Sequence, residues 1–412
     1  MIPKIRNTFL SLVRFGIGTG AGQEFLPLKR IGELSSEQGG APHKGDSADR
    51  VQSKSLNPDE WVQLKELADE QGLTAVALDG LNALKGARSS KSSSSSNGIE
   101  LPLELELQWN GEVIQNYENV YPAYRDAITS LAKWHNEHGF KMMVLKGYAC
   151  SLDWPKPDHR PCGDIDIWQF GKQKEADAAL DEWFKGLSVS PDSSSVQKFK
   201  IDGSLHHHTV FNWGDFMVEN HYDFVHVQSH KVNRDLERLL KQQGEDDSHF
   251  VEIDGTKVYL PSTNLHALFL LVHAMGHFAA SAISLRQLVD WGMFAQKHSP
   301  EVDWNWLESI LELYGMKRLY DIFNAICVED LGFDINIFPQ IQFESNLKER
   351  VLNEIIFPAI PNDIPHRLFK RIVWKFHRWK ANEWKHQLVY KESMWSSFWN
   401  GAWSHLLKPE SI

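Results

Sequence analysis

The stretch that decides the fold is VLKGYACSLDWPKPDHRPCGDIDIW, residues 144–168. An apolar run ends in Lys146-Gly147, a connection follows, and Asp164 and Asp166 then alternate with two isoleucines. Because successive side chains of a strand point to opposite faces, we expect both aspartates on one face and both isoleucines on the other. The isoleucines would anchor a buried strand and leave two carboxylates side by side at a cleft.

Two carboxylates at that spacing repel each other, and a divalent cation removes the repulsion. Oxygen ligands suit Mg²⁺, and Mn²⁺ accepts the same ligands. An exposed edge strand with a solvated acidic face is the alternative. Lys146-Gly147 stands between a predicted strand and a predicted helix, where free N–H groups favour phosphate, and Arg160 adds a second cation. Phosphate-binding groups beside a metal-binding pair favour nucleotidyl transfer.

A third carboxylate is expected from the later strand MVENHYDF. Strand alternation places Glu219 and His221 on one face, with Val218 and Asn220 on the other. Glu219 is therefore the candidate third metal ligand or general base, and His221 is its neighbour. The alternative for Glu219 is a solvated strand acid.

These motifs resemble the bacterial nucleotidyltransferase family proteins of the DNA polymerase beta-like nucleotidyltransferase superfamily. The resemblance rests on LKG, RPCGDIDIW, a later His-His pair and Glu-Asn-His, and extends from WVQLKELADEQG to SLRQLVDW. The chain departs from the usual pattern in having Lys-Gly for Gly-Ser and Asn220 for an aliphatic residue. The resemblance implies catalytic, metal-binding or nucleotide-binding roles for Lys146, Gly147, Arg160, Gly163, Asp164, Asp166, Glu219 and His221.

Histidines outside these motifs form two groups. His206, His207 and His208 are consecutive, and substrate contact is predicted for His207 and His208, with packing or surface positions as the alternative. His266, His273 and His277 follow one helical face. That helix lacks the glutamate of HExxH zinc sites, so the favoured interpretation is a polar wall between domains, with His273 and His277 as further candidate substrate contacts.

Residue patterns along the chain predict three regions. Residues 1–98 form a helical region with helices from Asn57 and from Thr74, ending in a serine-rich loop over 87–98. Residues 99–262 alternate between helix and strand patterns, and residues 263–412 are helical, with Arg286 and Asp290 spaced as an i,i+4 ion pair. The predicted fold class is α+β, a small nucleotidyltransferase-like mixed-sheet core with an N-terminal helical unit and a C-terminal all-helical domain.

Composition excludes several classes of protein. The chain has 412 residues, 42% hydrophobic and 24% charged, as in an ordinary globular protein. A net charge of -11 argues against general nucleic-acid binding. Its three cysteines match neither a disulfide framework nor a zinc motif, and we recognise neither a cleavable signal peptide nor a transmembrane segment. A cytoplasmic location is predicted.

The segment 363–408 differs from the remainder in charge, with nine Lys or Arg against three acids and six interleaved tryptophans. A basic helix rich in tryptophan is typical of a membrane surface or a docking site for a partner. The alternative, which we favour, is a helical hairpin that packs its tryptophans on the domain while its lysines extend outward.

The sequence thus predicts a metal-dependent nucleotidyltransferase that binds ATP or another NTP and transfers a nucleoside monophosphate to an unknown acceptor. Two alternatives remain. One is a glycosyltransferase that uses D-x-D to hold the metal of a nucleotide-sugar. The other is a nucleotide-binding or scaffold protein that keeps the fold without catalysis.

Overall fold

The computed structural model describes residues 2–20, 56–89, 101–188, 208–225, 231–360 and 368–392. The chain divides into two compact units, Met1–Val113 and Ile114–Ile412. The predicted boundary at residue 98 lies outside the described residues. The predicted boundary at 262 falls inside the second unit, which contains both the sheet and the helices that follow it.

The first unit is helical. Its helices are α1 (Ile2–Gly16), α2 (Pro58–Glu70), α3 (Thr74–Ser89) and α4 (Leu103–Val113). The predicted start of α2 is confirmed, since Asn57 and Glu60 form a reciprocal capping box. The backbones of α1 and α3 meet closely, because a Cβ on Gly80 would lie 1.8 Å from the Leu12 carbonyl oxygen.

The second unit is built on one mixed six-stranded sheet with strand order β3-β4-β2-β1-β6-β5. Strand β1 pairs antiparallel with β2 and parallel with β6, whereas β2 pairs parallel with β4. The strands are β1 (Met143–Val144), β2 (Ile165–Trp168), β3 (His208–Trp213), β4 (Phe216–His221), β5 (Phe250–Ile253) and β6 (Thr256–Tyr259). The mixed α+β class predicted from the sequence is confirmed.

The two faces of β2 have different surroundings, as the alternation of isoleucine and aspartate predicts. Ile165 and Ile167 are fully buried in the core with residues of α5 (Val120–Glu137) and α7 (Gln173–Ser188). The Asp166 side of the strand instead contacts Lys146 and His221. The isoleucines therefore hold the strand in the core while Asp166 lies on the face that Lys146 and His221 contact.

The second unit has nine further described α-helices, of which α6 and α8 lie between strands and the others follow β6. They are α6 (Tyr148–Ser151), α8 (Lys231–Gly244), α9 (Thr263–Ala280), α10 (Leu285–His298), α11 (Trp304–Tyr314), α12 (Lys317–Glu329), α13 (Ser345–Ile356), α14 (Leu368–Ala381) and α15 (Glu383–Val389). The periodicity that predicts α9 to α12 is confirmed. Among the described residues, no helix combines the length and the apolar character needed to span a membrane.

In the described part of the basic C-terminal segment, packing involves α15 more than the tryptophans of α14. Leu388 and Val389 are buried, and the Lys385 ammonium lies within 2.6 Å of the Ser281 carbonyl oxygen and 2.9 Å of Glu354. Trp374 and Trp379 are only half-buried. Trp384 of α15 is also half-buried, with the Arg350 guanidinium carbon 3.8 Å from its ring centroid. The remaining predicted tryptophans, Trp395, Trp399 and Trp403, lie outside the described residues.

Candidate active site

The Lys146-Gly147 step follows β1, and its backbone conformation requires glycine. Gly147 has φ +51°, a region that favours glycine, and a Cβ there would lie 2.3 Å from the Tyr124 hydroxyl oxygen. The helix after it, α6, has only four residues. A helix of one turn contributes little dipole, so the predicted phosphate preference of this helix end is weaker than the sequence suggests.

Asp166 is the most constrained acid of the site. It is buried, and its Oδ1 accepts hydrogen bonds from Lys146 Nζ and from His221 Nε2, both at 2.9 Å. Burial alone would raise the pKa of Asp166, but the Lys146 ammonium and the His221 hydrogen bond outweigh it and hold the pKa well below its usual range. Asp166 is therefore ionised at neutral pH.

Asp164 lies just before β2 and is half-buried. Its backbone carbonyl accepts a 3.0 Å hydrogen bond from the Tyr124 hydroxyl. Burial, with the charge of Asp166 as a second cause, raises the pKa of the Asp164 carboxyl. Like-charge repulsion between the two aspartates is the electrostatic condition that the D-x-D pattern predicts.

Glu219 meets Asp166 because β2 and β4 are parallel neighbours in which these two residues are register partners. His221 Nε2 lies 3.6 Å from Glu219 Oε2, and His208 Nε2, on the paired strand β3, lies 3.7 Å from Glu219 Oε1. Burial would lower the pKa of His221, but hydrogen bonds to Asp166 and Glu219 raise it to about 9. The hydrogen bond from His221 lowers the pKa of Glu219.

The residues grouped tightly enough to hold one metal ion differ in one member from the predicted set. The sequence predicts Asp164, Asp166 and Glu219. In the described part of the chain, the ligand atoms that lie within 4.8 Å of one another belong to Asp166, Glu219 and His221. Asp164 is not a member of this group, although it interacts electrostatically with Asp166 and Glu219.

A cavity of ≈ 110 Å³ opens in front of Asp166. Its lining joins the end of β1, the connection before β2, and helices α9 and α10. Among the predicted residues it includes Lys146, Gly147, Arg160, Gly163, Asp164, Asp166 and His273. Glu219, His208 and His221 are not among the described residues that line it, and His221 contacts the lining residue Asp166 directly.

Arg160 reaches the cavity with most of its donors already engaged. Its Nε donates to Asp290 Oδ1 at 2.8 Å and its Nη2 to Asp290 Oδ2 at 3.0 Å, while Trp154 Nε1 also donates to Oδ1. The predicted ion pair between Arg286 and Asp290 is wrong, because Asp290 turns to Arg160 instead. Arg160 therefore fastens the connection before β2 to α10.

The remaining candidate histidines have separate environments. His273 Nε2 lies 3.1 Å from Lys146 Nζ, and burial together with that ammonium lowers the pKa of His273, so the neutral ring accepts from Lys146. His277 is exposed, 4.4 Å from the His273 ring between centroids, and does not line the cavity. His266 is buried beside Cys150. His206 and His207 lie outside the described residues.

Sequence reasoning missed three residues at the site: Tyr124, Arg286 and Gln287. Tyr124 belongs to the apolar stripe of α5, which predicts only a core position. Arg286 and Gln287 line the cavity from the first turn of α10. Nothing in their spacing relative to residues 144–168 indicates this, because only the packing of α10 brings them there.

A mixed sheet with acids on adjacent strands beside a cationic cavity has the features expected of a nucleotidyltransferase. The profile of the family described as "Uncharacterised nucleotidyltransferase" matches residues 57–332, more than half of the chain. The chain belongs to this family, and the predicted family resemblance is confirmed. The bacterial part of that resemblance stays a prediction.

Known proteins add little beyond the family. Among curated proteins, none matches the chain. A solved structure, that of an antigenic nucleotidyltransferase-like protein from Paracoccidioides brasiliensis, is similar at 16% identity over 52% of this chain and 93% of that chain. Its TM-score of 0.31 is too low to support an argument about the site.

Proposed function

We propose that the protein is a metal-dependent nucleotidyltransferase that transfers a nucleoside monophosphate from an NTP to an acceptor hydroxyl. The observation that carries the proposal is the meeting of Asp166 and Glu219 on adjacent parallel strands. Asp164 and Lys146 lie at the same cavity as Asp166. Membership of the nucleotidyltransferase family supports the same reaction class.

The donor set fits a divalent cation. Asp166, Glu219 and His221 bring their ligand atoms within 4.8 Å of one another, and Asp164 lines the same cavity as Asp166. The charge of Asp166 is now balanced by Lys146 and His221, and a bound cation would take over the part of His221, which would lose its Nε2 proton to solvent on binding the cation. We propose Mg²⁺ for the carboxylates, with Mn²⁺ as a substitute that accepts the imidazole more readily. When bound, such an ion supplies positive charge to the phosphate oxygens and acidifies the attacking hydroxyl.

The chain's own groups would bind the substrate and accept its proton. Lys146 Nζ and the Gly147 amide would contact the phosphates, and Gly163 leaves open space at the cavity, since a Cβ there would meet no atom within 4 Å. The acceptor oxygen would bond to the α-phosphorus as the bond to the pyrophosphate oxygen breaks. Pyrophosphate would leave with that electron pair, and the Glu219 carboxylate would receive the hydroxyl proton.

Transfer is tested with NTPs labelled at either the α- or the γ-phosphate, incubated with the protein, Mg²⁺ and fractionated lysate. The proposal expects α-label to become attached to an acceptor while γ-label leaves in pyrophosphate. Asp166→Asn should abolish transfer, whereas Asp126→Asn, an exposed aspartate on α5, should not. Transfer of γ-label, transfer of a sugar from a nucleotide-sugar, or full activity in Asp166→Asn would contradict the proposal.

A further inference from the structure

Two polar side chains of α10 face the cavity without hydrogen-bond partners. Arg286 Nε and Gln287 Oε1 are both buried atoms that make no hydrogen bond among the described residues. Both residues line the same cavity as Lys146 and Gly147. Buried polar atoms are normally paired, so two unpaired atoms of residues in one cavity wall are available to a ligand that enters the cavity.

The charges around the cavity explain why Arg286 is unpaired. Asp290, one turn further along α10, gives both carboxylate oxygens to Arg160. Asp166 is bonded to Lys146 and His221. Among the described residues, Arg286 therefore forms no salt bridge, and burial together with the nearby Arg160 lowers its pKa. A guanidinium held in this way is disfavoured without an anion.

We propose that Arg286 is the recognition group for the distal phosphates of the substrate, and that Gln287 accepts a hydrogen bond from a substrate hydroxyl. The proposal rests on the nucleotidyltransferase function and adds a binding subsite to it. Guanidinium binds phosphate through two parallel N–H donors, which an ammonium does not offer. A nucleoside triphosphate carries both required partners, anionic oxygens and ribose hydroxyls. The sequence predicted phosphate binding by Arg160, but Asp290 already binds the Arg160 guanidinium. The proposal therefore transfers much of that role to Arg286.

The positions of Arg286 and Gln287 favour binding of the NTP rather than binding of a distant part of the acceptor. Arg286 shares the cavity with Lys146 and the Gly147 backbone, so the cationic groups converge on one space beside the carboxylates. Its volume of ≈ 110 Å³ accommodates several water molecules, and therefore phosphate groups in their place. Arg286 also lies in the first turn of a 14-residue helix, where anions are favoured.

The subsite is tested by calorimetric titration of the full chain with Mg²⁺ and three probes: inorganic triphosphate, each common NTP, and the matching NMP. In Arg286→Gln we expect affinity for triphosphate and NTP to fall at least about tenfold, with NMP affinity changed less than about twofold. Arg286→Lys should lie between Arg286→Gln and the wild type, because it keeps the charge but loses the two-donor geometry. Arg318→Gln, which removes an exposed arginine paired with Glu344, is the matched control and should bind as the wild type does.

Thermal melting separates binding from folding. Arg286→Gln removes a half-buried charge that forms no salt bridge with the described part of the chain, so its melting temperature should equal or exceed that of the wild type. Equal losses for NTP and NMP, unchanged binding in Arg286→Gln, or a wild type that binds neither triphosphate nor NTP would overturn the subsite. If triphosphate binding depends on Arg286 but no α-label is transferred, the subsite stands and the proposed function fails. If α-label is transferred while Arg286→Gln binds normally, the function stands and the subsite fails.

Discussion

Lys146 connects the acidic group to the cavity. Its ammonium contacts Asp166 Oδ1 at 2.9 Å and His273 Nε2 at 3.1 Å, and its side chain remains partly exposed at the cavity. An ammonium has three donors, so one remains for a ligand. The same side chain can therefore stabilise the buried Asp166 and contact a phosphate.

Lys146→Ala should weaken NTP binding by about tenfold or more and NMP binding by much less, because the distal phosphates add the charge that an ammonium attracts. Titration of both ligands in the variant and the wild type measures the difference. Lys133→Ala, an exposed lysine on α5, is the control. Equal losses for NTP and NMP would show that Lys146 acts only through the structure of the site.

Gly147→Ala tests the turn that places Lys146. It combines a positive φ with a Cβ 2.3 Å from the Tyr124 hydroxyl oxygen, so we expect a loss of about 2–4 kcal/mol in unfolding free energy. Gly139→Ala has positive φ and open space, and should lose only about 1–2 kcal/mol. Urea unfolding of both variants gives the comparison. Equal losses of unfolding free energy in Gly147→Ala and Gly139→Ala would show that the contact with the Tyr124 hydroxyl does not destabilise the variant.

Asn220 shows why part of the site could not be predicted from sequence. Asn220 Nδ2 donates to Asp177 Oδ1 at 2.7 Å and to Gln169 Oε1 at 3.1 Å, on the side of β4 away from Glu219. An aliphatic residue would remove these donors from a buried carboxylate and amide. Its partners lie 43 and 51 residues away, so the departure from the usual pattern has no local explanation.

Helix α10 fixes the connection that leads into β2. Asp290 on α10 holds Arg160 through two hydrogen bonds, and Trp154 Nε1 donates to the same carboxylate. The pair is buried, so removing one member leaves an uncompensated charge. This contact is what brings Arg286 and Gln287 to the cavity.

Asp290→Ala should therefore destabilise the protein by about 3–5 kcal/mol, measured by denaturant unfolding. The double variant Asp290→Leu/Arg160→Met, which removes both charges, should recover much of that loss. Glu344→Ala breaks the exposed pair with Arg318 and should cost less than about 1 kcal/mol. A loss for Asp290→Ala as small as that for Glu344→Ala would mean that the buried pair does not secure α10.

Elements with strong local signals were predicted, and others were not. The later strand that carries Glu219 and the helix that starts at Asn57 are confirmed. The hairpin of β5 and β6 was not assigned, although its two-residue turn, Asp254-Gly255, is a typical hairpin signal. Helix α10 was predicted, but its contact with the cavity was not, because periodicity gives a buried face without naming the partner of that face.

Across the second unit, buried histidines make folding stability depend on pH. Burial lowers the pKa of His135 and of His266 to about 4. Both pKa values lie below the ordinary histidine value of about 6.5. Between about pH 4 and 6.5 the unfolded chain therefore binds more protons than the folded chain does, and folding stability falls as the pH decreases through this range. His221 acts oppositely, because its pKa of about 9 makes its contribution fall as pH rises above about 6.5.

His266→Met should reduce the stability lost on acidification from pH 6.5 to 4 by up to roughly 3 kcal/mol, at 1.36 kcal/mol per pH unit. Methionine suits this buried position, where the His266 ring contacts Phe294 and the Cys150 thiol. Chemical unfolding at a series of pH values measures the slope. A variant that loses as much stability as the wild type would show that His266 is not among the groups that set the acid response.

The central claim is that the acids of β2 and β4 bind an NTP through a divalent cation, and calorimetric titration tests it most directly. The wild type should bind NTP with Mg²⁺ and lose that binding in EDTA, while Asp164→Asn/Asp166→Asn should fail to bind under both conditions and Asp126→Asn should match the wild type. Thermal melting of each variant confirms folding. Equal affinity for NTP with and without metal, in the wild type and in the folded double variant alike, would contradict the account.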